Sequence, residues 1–97
     1  MLDLTQQRKY YELKWFDGEV LQFPMPTQEL LMRMVKLESI ENIEEQFDTL
    51  TAIVKEILKS NINKREFSEE DFKELDLHTI NLIREDYMGT INQELGE

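Results

Sequence analysis

The sequence predicts an α+β fold that is mostly helical: an N-terminal antiparallel β-hairpin followed by three or four helices packed on one another. Apolar and polar residues alternate between Tyr10 and Pro24, which is the period of half-buried strands. After Thr27 the apolar residues recur every three or four positions, which is the period of amphipathic helices. A chain of 97 residues has the size of one domain. We therefore expect a single domain over 1–97, with a flexible lead-in at 1–9, the hairpin at 10–25 and the helical part at 27–95.

The register of the hairpin follows from keeping one of its faces apolar. A two-residue turn ending at Gly18 would pair Leu13 with Gln22 and mix the two faces. A three-residue loop ending at Gly18 pairs Leu13 with Leu21 and keeps the apolar residues together, as a strand with one buried face requires. The same loop puts Gly18 at the left-handed position of a G1 bulge. We predict the three-residue loop.

Four polar residues predict where the helices begin. Each is a good N-cap before an apolar periodic segment, and Glu45 and Asp71 follow two of these caps at the spacing of a capping box. The caps are Thr27, Asn42, Ser68 and Asp76. Phe67 can pack on Phe72 as a hydrophobic staple. The first predicted helix runs from Thr27 to about Ile40, and the second from Asn42 to the break at 60–64. The third covers 69–74, and the fourth runs from Asp76 toward Glu94.

Apolar stripes on these helices are expected to form the core. The stripes are Leu30, Leu31, Met34 and Leu37 in the first helix, Ile43, Phe47, Leu50, Val54, Ile57 and Leu58 in the second, and Leu77, Ile80, Ile83, Tyr87 and Ile91 in the last. Gly89 lies inside the last helix and costs about 1 kcal/mol relative to alanine. This glycine marks either a close approach by another backbone or a weak point in the helix.

The composition favours a binding protein over an enzyme. The net charge is −10, divided as −1 over 1–26, −3 over 27–63 and −6 over 64–97. Such a balance disfavours nucleic-acid backbones, which need clustered Lys and Arg, and favours solubility or a basic partner. The chain has no cysteine, which excludes disulfides and thiolate metal sites. Because its start also lacks the features of a signal peptide, we expect an intracellular protein. We expect no cofactor.

Some ionisable residues invite a catalytic interpretation. Glu44, Glu45 and Asp48 are similar to the paired acids of magnesium-dependent nucleotide pyrophosphatases, a chemistry that needs a second acidic pair facing them. Glu66 and Glu69 have the spacing of such a pair, but they straddle a helix start that would point them apart. Acids in the first turn of a helix have a simpler explanation in the helix dipole. The single histidine has no second ligand with which to hold a metal. We assign no catalytic, cofactor-binding or metal-ligating residue.

A second interpretation of the acidic residues is a DNA-mimicking inhibitor or a small regulatory binding protein. The acids between Glu66 and Asp76 could imitate a phosphate backbone if they formed one continuous stripe. Most of them fall in first turns of helices, where the dipole stabilises them.

Methionines near a wide apolar arc predict a partner-binding surface. Methionine is flexible and adapts to varied partners. Some apolar residues of the first helix lie off its main stripe, so that the apolar arc is wider than one neighbour needs. The candidate partner-binding residues are Met25, Met32, Met34, Val35 and Met88. Filling of the core is the alternative role for the same residues.

Over roughly residues 10–92 the chain resembles the tail assembly chaperones of long-tailed bacteriophages and prophages of Gram-positive bacteria. The matching features are the strand pair YELKWFDG (11–18) and VLQFPMP (20–26), the apolar first helix, and the segment ILKSNINKREFSEEDFKELDL (57–77). The last segment begins with a helix that ends in Ile-Leu-x-Ser-Asn and continues with a lysine-containing loop. The motifs Phe-Ser-Glu-Glu and Leu-Asp-Leu follow the loop in that order.

This resemblance implies a non-enzymatic viral chaperone. Proteins of this family are small, acidic and cytoplasmic, and are encoded just before the tape measure protein. The implied role is to bind that long helical protein, keep it soluble and help to recruit tail tube subunits, without entering the mature virion. The implied partners are the tape measure protein and the tail tube protein, with no nucleic acid and no membrane. Methionine-rich helix faces also allow a homo-oligomer.

Overall fold

The computed structural model describes residues 1–3 and 9–95 and confirms the α+β, mostly helical fold class. The predicted lead-in at 1–9 includes residues 4–8, which lie outside the described residues. The elements are β1 (Tyr10–Lys14), β2 (Val20–Pro24), α1 (Gln28–Lys36), α2 (Ile43–Lys59), α3 (Glu69–Lys73) and α4 (Leu77–Leu95). A short 3₁₀ turn, Leu37–Ser39, continues α1 toward Ile40, where the sequence predicts its end.

The hairpin has the predicted register. Leu13 lies opposite Leu21, and Tyr11 lies opposite Phe23. The three-residue loop closes with a hydrogen bond of 2.9 Å from the Gly18 N–H to the Trp15 carbonyl. Gly18 has a φ of +92°, a conformation that a residue with a Cβ adopts only with strain.

All four predicted N-caps are formed. Each side-chain oxygen accepts a hydrogen bond from the backbone N–H three residues ahead, which satisfies a donor that the helix leaves unpaired. The bonds run from Leu30 to Thr27 (3.2 Å), from Glu45 to Asn42 (2.9 Å), from Asp71 to Ser68 (3.3 Å) and from Thr79 to Asp76 (2.8 Å). At Ser68 the Asp71 carboxylate returns a bond from the Ser68 N–H at 2.8 Å, which completes the capping box. The predicted staple between Phe67 and Phe72 is also present, with ring centroids 6.0 Å apart.

The loop after α2 is hydrogen-bonded to the backbone of the hairpin. The Ile62 N–H donates to the Gln22 carbonyl at 2.9 Å, and the Gln22 N–H donates to the Asn63 side chain at 2.8 Å. Asn61 is buried within this loop: its amide donates to the carbonyls of Leu58 (2.8 Å) and Arg65 (3.0 Å) and accepts from the Arg65 N–H (2.8 Å). The loop therefore covers the outer edge of β2, which would otherwise have unpaired backbone groups.

Arg65 links the loop after α2 to the hairpin turn. Its Nη1 donates to Asp17 at 2.8 Å and to Glu19 at 2.6 Å, both at the hairpin turn. The guanidinium carbon lies 5.6 Å from the centre of the Trp15 ring and 5.4 Å from that of Phe67, within the range of cation–π contacts. We call these five residues the Arg65 cluster.

One hydrophobic core joins the hairpin to the helices. The hairpin contributes Tyr11, Leu21 and Phe23, and the predicted helical stripes contribute most of the rest. The ring of Tyr11 meets the ring of Tyr87 edge to face at 5.0 Å, which fixes α4 against the hairpin. A Cβ built on Gly89 meets no atom within 4 Å, so Gly89 marks a weak point in α4 and not a close approach within the described chain.

Three residues of the predicted stripes lie outside the core. Leu77 is 49% exposed, which makes its inward placement wrong, and Ile43 and Phe47 at the start of α2 are 82% and 41% exposed. Periodicity identifies the face of a helix that packs, but it does not say how far along the helix the packing extends.

Candidate functional site

The methionine surface predicted from the sequence is not gathered into one exposed patch. Met34 is only 5% exposed and belongs to the core, because it follows Leu30 by one turn on the inward face of α1. Met25 and Met88 are half-buried against the core. Only Met32 and Val35 are exposed, on α1.

A different apolar surface has formed where α2 and α4 begin. Two depressions share the Phe47 side chain, and we call this region the Phe47 surface. The first depression, about 280 Å³, is lined by residues that include Leu37, Ile43, Gln46, Phe47, Leu77 and Arg84. The second, about 240 Å³, is lined by residues that include Phe47, Thr51, Lys55, Phe72, Leu75 and Ile80. The three exposed residues of the predicted stripes, Ile43, Phe47 and Leu77, therefore lie together.

Each depression is lined by a residue that has a buried polar atom without a partner. Within the described residues, two buried side-chain polar atoms make no hydrogen bond: Nε of Arg84, a residue of the first depression, and Oγ1 of Thr51, a residue of the second. Almost all buried polar groups in folded proteins are hydrogen-bonded, and leaving one unpaired costs about 1–3 kcal/mol. The two residues with unpaired atoms thus line the depressions that Ile43, Phe47 and Leu77 also line.

Exposed acids lie beside the first depression, whereas the second depression is lined by Lys55 and Lys73 as well as Glu69. Glu38 lines the first depression, and Glu44 and Asp48 lie on the same side of α2 as Thr51 by helical spacing. The sequence from 37 to 54 contains five exposed acids and neither Lys nor Arg. These acids are Glu38, Glu41, Glu44, Glu45 and Asp48. The α2 dipole accounts for the first-turn acids, but the negative field extends beyond that turn.

Three of the acids between Glu66 and Asp76 have local roles. The carboxylate of Asp71 completes the capping box, and that of Asp76 caps α4, where the backbone N–H of Thr79 lowers the pKa of Asp76. Glu69 approaches the Lys55 ammonium at 3.4 Å. Among residues 1–3 and 9–95, no three His, Asp or Glu side chains are grouped so that they could hold a metal ion. The facing acidic pairs that the pyrophosphatase hypothesis requires are thus not found in this part of the chain.

A further apolar depression lies between β1 and α4. It has a volume of about 320 Å³ and is lined by Tyr11, Leu13, Thr79, Leu82, Ile83 and Asp86. Here the polar groups are paired, since the Tyr11 hydroxyl donates to the Asp86 carboxylate at 2.8 Å. Burial and this bond both raise the pKa of Tyr11. Because Leu82 is the one strongly exposed apolar residue among these, the Phe47 surface is the better candidate for a partner.

The sequence contained part of the signal for this site. Ile43 directly follows the Asn42 cap, and Phe47 lies one turn further, so both belong to the α2 stripe. The sequence could not show that α4 begins beside them and leaves them uncovered. It also could not show that Arg84 enters the same depression from 41 residues beyond Ile43.

Comparison of the chain with models of protein families, with curated proteins and with solved structures found no match. In the described part of the chain, none of the helices has both the length and the apolar character needed to cross a bilayer.

Proposed function

We propose that this protein is a non-enzymatic phage tail assembly chaperone that binds the tape measure protein, keeps it soluble in the host cytoplasm and helps to recruit tail tube subunits. The observation that carries the proposal is the Phe47 surface, where three large apolar side chains remain exposed on a small acidic protein. Contiguous exposed apolar residues surrounded by polar ones are typical of protein-binding sites. The family resemblance supplies the identity of the partner.

The size of the site favours a protein partner over a small molecule. Pockets that take drug-sized ligands have volumes of about 300–1,000 Å³ and enclose most of the ligand. The two depressions are smaller and lie side by side, an arrangement suited to apolar side chains that project from one helix. A net charge of −10 would keep the complex soluble.

Co-expression tests the proposal. The chain is produced with the tape measure protein encoded downstream of it, and the partition of that protein between soluble and insoluble fractions is measured. We expect the tape measure protein to become soluble and to co-purify with the chain. Insolubility of the tape measure protein at equal expression, with no co-purification, would contradict the proposal.

Paired variants locate the site in the same assay. Ile43→Ser and Phe47→Ser alter the Phe47 surface, whereas Met32→Ser and Val35→Ser alter the exposed residues of the predicted methionine surface. We expect the first pair to lose co-purification and the second pair to retain it. The reverse result would move the binding site to α1.

A further inference from the structure

We propose that the Phe47 surface recognises an amphipathic helix that carries Lys or Arg beside its apolar stripe. This inference rests on the proposed function in taking the partner to be a helix of another protein, and it adds the chemistry by which that helix is selected.

The apolar stripe of the partner is required by the shape of the site. Phe47 contributes to both depressions, so a helix lying on it can place one apolar side chain in each. Side chains three or four positions apart project from the same face of a helix and can fill neighbouring sites of this kind.

The basic residues are required by the charge around the site. Five exposed acids lie between 38 and 48 on the side of the first depression, where Arg84 is the basic lining residue, whereas the second depression is lined by Lys55 and Lys73 as well as Glu69. The first depression therefore favours a basic helix over a neutral or acidic one. The same field disfavours a second copy of this chain, because its net charge is −10.

Charge-neutralising variants with a matched control test the inference. The site variant combines Glu38→Gln, Glu44→Gln and Asp48→Asn. The control variant combines Glu12→Gln, Glu29→Gln and Glu66→Gln, exposed acids outside the acidic segment 37–54. Both variants remove three charges, and each loses one first-turn acid, Glu44 or Glu29.

The probe is a synthetic amphipathic peptide of about 20 residues, long enough to form a helix on its own, with a Leu stripe flanked by Lys. A second probe replaces every Lys with Glu. Each is titrated by fluorescence anisotropy against the full chain at low and high ionic strength.

We expect the Lys probe to bind about tenfold more tightly than the Glu probe, and the site variant to lose about tenfold in affinity for it, as for a few rim charge pairs together. The control variant should stay within about twofold of the wild type. Phe47→Ser should abolish binding of the Lys probe.

Three results would overturn the inference. The site and control variants could lose equal affinity, which would mean that only net charge matters. Phe47→Ser could bind the Lys probe as well as the wild type. Light scattering could show a dimer that Phe47→Ser dissociates, which would make a second copy the occupant.

The peptide and co-expression assays fail independently. If the Lys probe binds as expected while the tape measure protein stays insoluble, the recognition chemistry stands and the chaperone function fails. If the tape measure protein becomes soluble with the site variant as well as with the wild type, the chaperone function stands and the recognition chemistry fails.

Discussion

The Arg65 cluster and the Phe47 surface use similar residues in opposite ways. At the cluster, aromatic rings enclose a guanidinium that is bonded to two carboxylates. At the Phe47 surface, an aromatic ring is 41% exposed and the buried Nε of Arg84 has no partner within the described residues. One end of the molecule is thus completed by folding alone, whereas the other is the end where we propose that a partner binds. Substitutions at the first end should therefore affect stability, and those at the second should affect binding.

The largest expected effect is that of Asn61→Ala on stability. The Asn61 side chain makes three hydrogen bonds to backbone groups in a buried loop, and each is worth about 1 kcal/mol net. We expect the free energy of unfolding to fall by about 3 kcal/mol, measured by urea denaturation, while the folded fraction still binds the partner.

Asn63→Ala is the matched control for this experiment. Asn63 lies in the same loop, but its side chain is exposed; it accepts one short bond from the Gln22 N–H at 2.8 Å and donates one long bond to the Val20 carbonyl at 3.5 Å. Its loss should cost about 1 kcal/mol. Equal losses for the two variants would mean that burial of Asn61 adds nothing to the stability of the loop.

The second largest effect is that of Phe47→Ser, which should separate binding from stability. Because the Phe47 ring is partly exposed, its truncation should cost about 1–2 kcal/mol of unfolding free energy, less than a buried Phe would. Ile43→Ser should cost less than about 0.5 kcal/mol, since Ile43 is 82% exposed. Both should weaken partner binding at least tenfold, as expected for central residues of an interface. A variant that lost stability but kept its affinity would break the contrast between the two ends.

The sequence predicted the end that contains the Arg65 cluster better than the end that contains the Phe47 surface. The hairpin register, the four caps and the Phe67–Phe72 staple are local, and each depends on residues close together in the chain. The Phe47 surface depends on Leu37, Phe47 and Arg84 meeting across three elements, which no local pattern encodes. For the same reason the methionine pattern included Met34, whose burial depends on how α1 meets the rest of the core.

A smaller effect is expected from Gly89→Ala in α4, the helix that contacts both the hairpin and the Phe47 surface. No atom lies within 4 Å of the position of the new Cβ. The substitution should raise the free energy of unfolding by about 0.4–1 kcal/mol, mainly by reducing the flexibility of the unfolded chain. Affinity for the partner should not change. A loss of affinity would show that flexibility of α4 serves binding, and would extend the binding end of the molecule beyond the Phe47 surface.

The smallest expected effect tests the charges of the Arg65 cluster through pH. The Glu19 N–H, at 2.9 Å, and the Arg65 guanidinium both donate to the Asp17 carboxylate and lower the pKa of Asp17 below its ordinary value of 3.8. A lowered folded-state pKa contributes stability above the ordinary value, and this contribution is lost as the pH falls through the folded-state pKa. Wild type and Asp17→Asn should therefore differ in urea midpoint at pH 7 and converge below pH 3.8. The lowered pKa of Asp76 is common to both proteins and cancels in the difference. A difference that did not change with pH would mean that the Asp17 side chain acts through its hydrogen-bonding shape and not through its charge.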